Sequence, residues 1–278
     1  RRSVRFAPSP QHLEIIKRDY AILRKLNPWD FRLRFSVSPS NNVNNGADSP
    51  YNIIDGVPAV GLLSGTALAL SGTTANADLS LSYRLSRTKR SETTLSGRLI
   101  VQRIWLTSAA KAIAPTAQNR DFGSTTAEVA LRHSVLTADA KGLGTASLTL
   151  GQSWYGAKHQ HDFARVDLSY EQGLSSRTGI FGAASGEKRT STRGAAFDAT
   201  LFTVKAGMAH TLSNGDKLAF TLAVSKNETP QANGRYNRQV GYVSYSFEKP
   251  LGPAKVALVL GSSQLTYNTY NVGIIAVP

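Results

Sequence analysis

The chain has 278 residues, no cysteine, and 32 lysine and arginine residues against 18 aspartate and glutamate residues. This length suits one large unit, and no apolar run approaches the ~18 residues that a membrane-spanning helix needs. A net charge of +14 raises nucleic acid as a partner. The basic residues, however, lie in turns, in loops and at every second position of apolar stretches, so we expect no nucleic-acid binding.

The first predicted element is an amphipathic helix over residues 11–26, within a linker segment that we place at residues 1–28. Ser9 suits an N-cap, Pro10 suits the first turn, and Asn27-Pro28 ends the helix. Apolar residues follow at three- and four-residue steps, namely Leu13, Ile16, Tyr20, Leu23 and Leu26. The helix fits either a linker on a preceding domain or a plug at the mouth of a pore. Because no methionine or signal peptide stands at Arg1, we expect the chain to begin inside a longer precursor.

Residues 29–278 are dominated by an alternation of apolar and polar residues. In residues 31–38, Phe31, Leu33, Phe35 and Val37 alternate with polar residues, so a strand there turns one face to an apolar medium and the other to water. The pattern returns in residues 72–86, 93–106, 122–136, 143–154, 163–172, 178–185, 197–211, 217–226, 238–247 and 254–265. About 9–11 alternating residues suffice for a transmembrane strand. We therefore predict an all-β, antiparallel up-and-down transmembrane β-barrel of about 11 strands, preceded by one helix.

The connections between the predicted strands alternate in length. Short turns follow the even-numbered strands, and longer loops follow the odd-numbered ones, at residues 39–71, 107–121, 155–162, 186–196 and 227–237. The first of these is rich in asparagine and could fold inward. Outer-membrane barrels have short periplasmic turns and long outer loops, so we expect an outer-membrane protein with a periplasmic N-terminus. Because such barrels have even strand counts, we also expect the sequence to stop before the barrel closes.

The alternation predicts which charged residues face the lumen. These residues are Arg32, Arg34, Asp78, Arg84, Arg98, Glu128, Arg132, Arg165, Asp167, Glu171 and Lys205. Cations outnumber acids in this set, which predicts a net positive lumen. The set could form a ladder of salt bridges that stiffens the wall, or it could attract anionic solutes or an acidic segment of a client protein.

Aromatic residues at strand ends predict the contact with the membrane interface. Trp105, Trp154 and Tyr170 stand where an aromatic girdle of a barrel would place them. Arg103 shares the parity of the outward residues and must then lie near the headgroups. We expect outer-membrane lipids and lipopolysaccharide to surround this belt.

One cluster of residues could support chemistry. His159, His161 and Asp162 fall in the predicted loop 155–162, where two imidazoles and a carboxylate could bind a metal or act as bases. Neighbouring polar residues in an outer loop are more often simply solvated. No G-x-S-x-G context marks a nucleophile, and we expect no enzymatic activity, no metal and no cofactor.

Two stretches carry a resemblance to a known family. NPWDF followed by SVSPSNNVNNG, within Asn27–Gly46, and ALSG followed by LSYRLS, within Leu70–Leu85, resemble the C-terminal barrel of the surface lipoprotein assembly modifier (Slam) family. The resemblance implies a periplasmic helical-repeat domain followed by a 14-stranded outer-membrane barrel, with residues 1–28 as the tail of the repeat domain and residues 29–278 as an incomplete barrel. Characterised members help to move lipoproteins to the cell surface.

Three functions follow as hypotheses. The first is an outer-membrane translocation or assembly factor that gives client lipoproteins or other secreted proteins a passage or insertion route. The second is a general porin or solute channel with a positively lined lumen. The third, a cell-surface barrel enzyme, rests on the histidine cluster alone.

Overall fold

The computed structural model describes residues 9–54, 57–231 and 234–268. In these ranges the helices are α1 (Pro10–Leu26) and α2 (Ser108–Ile113), and the strands are β1 (Trp29–Ser40), β2 (Tyr51–Ile54), β3 (Val57–Leu62), β4 (Gly72–Arg87), β5 (Ser91–Leu106), β6 (Ser124–Leu136), β7 (Gly142–Tyr155), β8 (Lys158–Gly173), β9 (Thr178–Ser191), β10 (Ala199–Thr211), β11 (Lys217–Glu228), β12 (Tyr236–Ser246) and β13 (Ala257–Tyr267). None of the described helices is long and apolar enough to cross a bilayer.

One antiparallel sheet of 11 strands forms the body of the structure. Its order is β1-β4-β5-β6-β7-β8-β9-β10-β11-β12-β13, so each strand lies beside the next one along the chain, apart from the β2–β3 hairpin inserted between β1 and β4. This confirms the predicted all-β, up-and-down architecture. Within the described residues, β1 and β13 are the two edges of the sheet and do not pair with each other.

Helix α1 begins and ends as predicted. The Ser9 hydroxyl accepts a hydrogen bond from the backbone N–H of His12 at 3.3 Å, and Pro10 occupies the first turn. At the other end the backbone N–H of Asn27 donates to Leu23 O at 2.8 Å. Leu23 and Leu26 are exposed on this helix, so its apolar side is left uncovered by the described part of the chain.

The register separates the two faces of the sheet. Residues directly opposite each other in an antiparallel pair share a face, and pairs such as Leu81 with Phe31 and Leu131 with Leu148 repeat across the strands. The face that they form, here called the apolar face, keeps its large side chains exposed from β1 to β13; Leu222 is 69% exposed and Leu260 is 79% exposed.

The small buried core lies on the opposite face, at one end of the sheet. Ile104 and Leu106 of β5 are covered there by Leu70, by α2 and by Phe122, and Leu70 has no exposed surface. Both long connections, residues 41–71 and 107–123, supply parts of this core, so residues of the first loop fold over this face. The β2–β3 hairpin and α2 within these loops were not predicted.

Two predicted loops are wrong. Residues 155–162 were expected to loop, but β7 ends at Tyr155 and β8 begins at Lys158, because Gly156 and Ala157 have φ of 58° and 60° and make a two-residue turn. Most of residues 186–196 also belongs to a strand, since β9 continues to Ser191. In both places the strand continues past the last large apolar side chains of its apolar side. The residues there are polar on both faces, so the sequence shows no alternation.

The short connections fall at the other end of the sheet, as predicted. Residues 88–90, 137–141, 174–177 and 212–216 are tight turns between strands. The fifth connection at this end, residues 247–256, is longer and folds back on itself through an antiparallel bridge between Leu251 and Ala254.

The polar face as the candidate functional site

The register places every predicted lumen-facing residue on the face opposite the apolar one, here called the polar face. Arg32 lies opposite Ser80, Ser80 opposite Arg98, and Arg98 opposite Glu128. The other predicted residues also lie opposite polar-face residues of neighbouring strands, namely Arg34, Asp78, Arg84, Arg132, Arg165, Asp167, Glu171 and Lys205. Whether this face lines a closed lumen stays a prediction.

The polar face is concave. One cavity of about 630 Å³ is lined by polar-face residues from β1 through β8, with Asp30 on one side and Arg165 on the other. The five arginines that border it stand against five carboxylates, Asp30, Asp78, Glu92, Glu128 and Asp167. Formal charge is therefore balanced around this cavity, and the net positive charge of the whole lumen stays a prediction.

The central feature of this face is a chain of ion pairs across β4, β5, β6, β8 and β9, here called the ion ladder. Arg98 donates from Nε and Nη2 to the two carboxylate oxygens of Asp78, both at 2.8 Å, and lies 3.6 Å from Glu128. Arg165 lies 3.8 Å from Glu128 and 3.0 Å from Asp167. Planar guanidiniums suit such multiple pairing better than lysine does.

The ladder ends on a pair that sequence reasoning missed. Arg165 Nη1 donates to Glu187 at 3.3 Å, and Arg189 Nε donates to the other oxygen of Glu187 at 2.6 Å. Glu187 is only 7% exposed, so it needs both partners to offset the loss of water. The sequence does contain a signal, since Glu187 and Arg189 continue the alternation of β9, but a run of charged residues is also typical of a loop.

Other polar-face cations stand outside the ladder. No carboxylate of the described residues lies within ion-pair distance of Arg34, Arg132 or Lys205, and all three are exposed. Arg32 has only a 3.8 Å contact with Asp30, and Arg84 donates to the backbone oxygen of Asn27 at 3.2 Å. Glu171 is exposed near the turn end of β8.

An aromatic ring covers a glycine in the middle of the polar face. Phe163 of β8 lies directly opposite Gly151 of β7 and is 8% exposed. A Cβ built on Gly151 would overlap the Phe163 ring, so the ring fills the space that a side chain would take. Sequence reasoning assigned no role to either residue.

The predicted girdle residues lie near strand ends. Trp105 is the penultimate residue of β5, Trp154 is the penultimate residue of β7, and Tyr170 is three residues from the end of β8. Trp29 and Tyr83, which were not predicted, stack at the turn end with ring centroids 4.6 Å apart. Outward-facing Arg103 folds back onto β6, where it donates to Ser124 O at 2.9 Å.

The histidine cluster does not form a common site. A bulge at Ser153 and Trp154 lets His159 approach Asp162, with Nε2 3.2 Å from the carboxylate, while His161 stacks near Phe163 on the polar face. Asp162 also accepts a hydrogen bond from the Gln152 side chain at 2.8 Å. Among the described residues, no group of three or more metal-ligating side chains converges.

The class of protein follows from the fold: an all-β chain built on one 11-stranded antiparallel up-and-down sheet with an apolar face and a charged, concave face. Neither a scan against protein-family models nor a search of the curated proteins finds a match for this chain.

Proposed function

We propose that the sheet forms most of the wall of a transmembrane β-barrel in a bacterial outer membrane, with α1 on the periplasmic side. The observation that carries this proposal is the distribution of exposed apolar side chains. Leu81, Leu148 and Leu168 are 43%, 49% and 53% exposed on the apolar face. Water would penalise such a surface by roughly 25 cal/mol for each Å², whereas lipid would cover it.

The proposed function of this wall is a passage or insertion route for client proteins, among them lipoproteins bound for the cell surface. Two observations support it. The stretches Asn27–Gly46 and Leu70–Leu85 resemble the Slam family, and the loops around Leu70 and α2 cover part of the polar face at one end. A pore entrance that is partly covered by loops suits a gated route for a polypeptide better than a steadily open pore.

A solute channel is the second candidate, and a specific observation favours it. The cavity on the polar face is open and lined by hydroxyl groups and by equal numbers of arginines and carboxylates, which is a polar lining that admits hydrated solutes. Single-channel recording of the intact protein in planar bilayers separates the two functions. A large, steady, anion-selective current would favour the channel, and the absence of steady conduction would favour the client route.

The membrane placement has its own test. Because the chain has no cysteine, a single spin label can be attached at Leu148→Cys or, on the opposite face, at Ser147→Cys. In outer-membrane vesicles we expect the label at 148 to relax with lipid-soluble oxygen and the label at 147 with a water-soluble nickel chelate. Equal access of the chelate to both positions would refute the barrel.

The client route is tested in cells. Deletion of the gene should reduce the surface exposure of at least one lipoprotein, measured by protease shaving and antibody labelling of intact cells. The deletion strain that carries the intact gene on a plasmid serves as the control and should restore the exposure. Unchanged exposure of every surface lipoprotein would refute this function and leave the membrane placement intact.

A further inference from the structure

A second cavity on the polar face combines two cations that have no acidic partner among the described residues. This cavity, of about 550 Å³, has Arg132 of β6 at one side and Lys205 of β10 at the other. Its two carboxylates, Asp167 and Glu187, are both held by Arg165 of the ion ladder. With Arg165 the cavity has three cations and two carboxylates, so it has one positive charge in excess.

The floor between these cations is lined by small hydroxyl side chains. Ser147, Ser169, Ser185 and Thr203 line the same cavity from β7, β8, β9 and β10. Such a floor leaves room for a bound chain, and its hydroxyl groups can hydrogen-bond either main-chain amides or carboxylates. A third cation, Arg238 of β12, lies further along the same face. It is opposite Ser225, which is opposite Thr203.

The spacing of the cations selects among anions. Four interstrand steps of about 4.8 Å separate β6 from β10, or about 19 Å along the wall. A single phosphate or carboxylate would meet both cations only if both side chains extended toward each other, whereas an extended peptide spans that backbone distance with about six residues at about 3.3 Å each.

We propose that Arg132 and Lys205 bind an extended acidic polypeptide segment along this hydroxyl-lined floor. The inference rests on the proposed function, for which it names the chemistry of the client. The ion ladder beside the floor holds its four carboxylates with three arginines, so with Arg132 and Lys205 added the region has one positive charge in excess. No carboxylate of the ladder lies within ion-pair distance of Arg132 or Lys205, so both cations are available to the segment.

The test measures peptide binding to the intact protein in detergent micelles. The probe is a fluorescein-labelled ten-residue peptide of alternating glutamate and serine, and its uncharged partner has glutamine in place of glutamate. We expect the acidic peptide to bind and the glutamine peptide not to bind. The double variant Arg132→Gln/Lys205→Gln should weaken binding at least tenfold in 50 mM salt. The single variant Arg132→Lys keeps the positive charge and should retain most of the binding.

The matched control removes two positive charges from the other face. Lys188→Gln/Lys226→Gln lowers the net charge equally, and both of these lysines lie on the apolar side of the register. An equal loss of binding in both double variants would overturn the proposal, as would equal binding of the glutamine peptide. Binding of lipopolysaccharide vesicles without binding of the peptide would also overturn it. The spin-label result at residues 147 and 148 is independent, so this inference can fail while the membrane placement stands.

Discussion

At the scale of single residues, the polar face depends on close complementarity. The Phe163 ring lies on the backbone of Gly151, and the tight fit is set by the register of β7 against β8. Where atoms are closely packed, adding even one carbon forces the neighbouring side chains or backbone to move.

Gly151→Ala tests this fit. We expect it to lower the free energy of unfolding by about 1–3 kcal/mol, because the new methyl group displaces the Phe163 ring. Urea unfolding in micelles, followed by tryptophan fluorescence, measures the loss. Gly182→Ala is the control, since a Cβ there meets nothing within 4 Å, and a loss as large as that of Gly151→Ala would contradict the argument.

Arg165 is the residue on which three carboxylates of the ion ladder converge. Arg165→Met would leave Glu187 and Glu128, whose side chains are only 9% and 12% exposed, with fewer cations. Because Arg165 is itself 30% exposed, we expect a loss of about 1–3 kcal/mol, below the ~3–5 kcal/mol of a fully buried pair.

The same unfolding assay supplies the control for the ladder. Arg132→Met removes an arginine of the polar face that has no partner in the ladder, so its effect should stay within about 0.5 kcal/mol. The double variant Arg165→Met/Glu187→Gln should recover part of the loss, because it removes a buried carboxylate that has kept only Arg189 of its two partners. If Arg165→Met and Arg132→Met had the same free energy of unfolding, the ion ladder would contribute nothing to stability.

At the scale of elements, the turns at residues 212–216 and 247–256 hold each other. The Asp216 carboxylate accepts hydrogen bonds from the Tyr245 hydroxyl, from the backbone N–H of Glu248 and from the Asn214 amide. These donors, the Tyr245 hydroxyl foremost, hold the pKa of Asp216 below its usual value.

A lowered pKa predicts the direction of a pH effect. The ionised Asp216 stabilises the fold above its unfolded pKa of ~3.9, and this contribution is lost as the pH falls through the lower folded pKa. Asp216→Asn should thus be less stable than the parent at pH 7, with a difference that shrinks toward pH 2. Unfolding at several pH values measures this, and Tyr245→Phe should remove part of the same dependence. A constant difference across the range would contradict the assignment.

At the scale of the whole molecule, β1 and β13 are the two edges of the sheet, and neither pairs with a further strand among the described residues. Counted along the meander, β1 and β13 are both odd-numbered among 11 antiparallel strands, so they point the same way. A closed wall that is antiparallel throughout therefore needs an odd number of strands between β13 and β1, and direct pairing of these two edges would be parallel.

Cysteine pairs in the intact protein test this closure. Leu33→Cys with Leu79→Cys should form a disulfide in membranes, because these residues are opposite each other in β1 and β4. Leu33→Cys paired with cysteines at any of residues 258–262 of β13 should not form one. A disulfide from that second series would show that the two edges meet directly.

Much of this architecture is readable from local sequence. The helix cap at Ser9, the alternation in residues 31–38 and the turn at residues 212–216 each depend on residues close together in the chain. The lengths of β8 and β9 are not readable in this way, because beyond the apolar belt both faces are polar and the alternation carries no contrast.

The period of two, set by side chains that alternate along each strand, is sufficient to locate the 11 strands of the main sheet and to divide their residues between an apolar and a polar face. Only the tertiary structure decided which charges meet. Arg165 pairs with Glu128, Asp167 and Glu187 because strand register and sheet curvature bring these residues together. Register and curvature are long-range properties that no single segment encodes. Within the described part of the chain, the same pairing leaves Arg132 and Lys205 without a carboxylate in ion-pair distance.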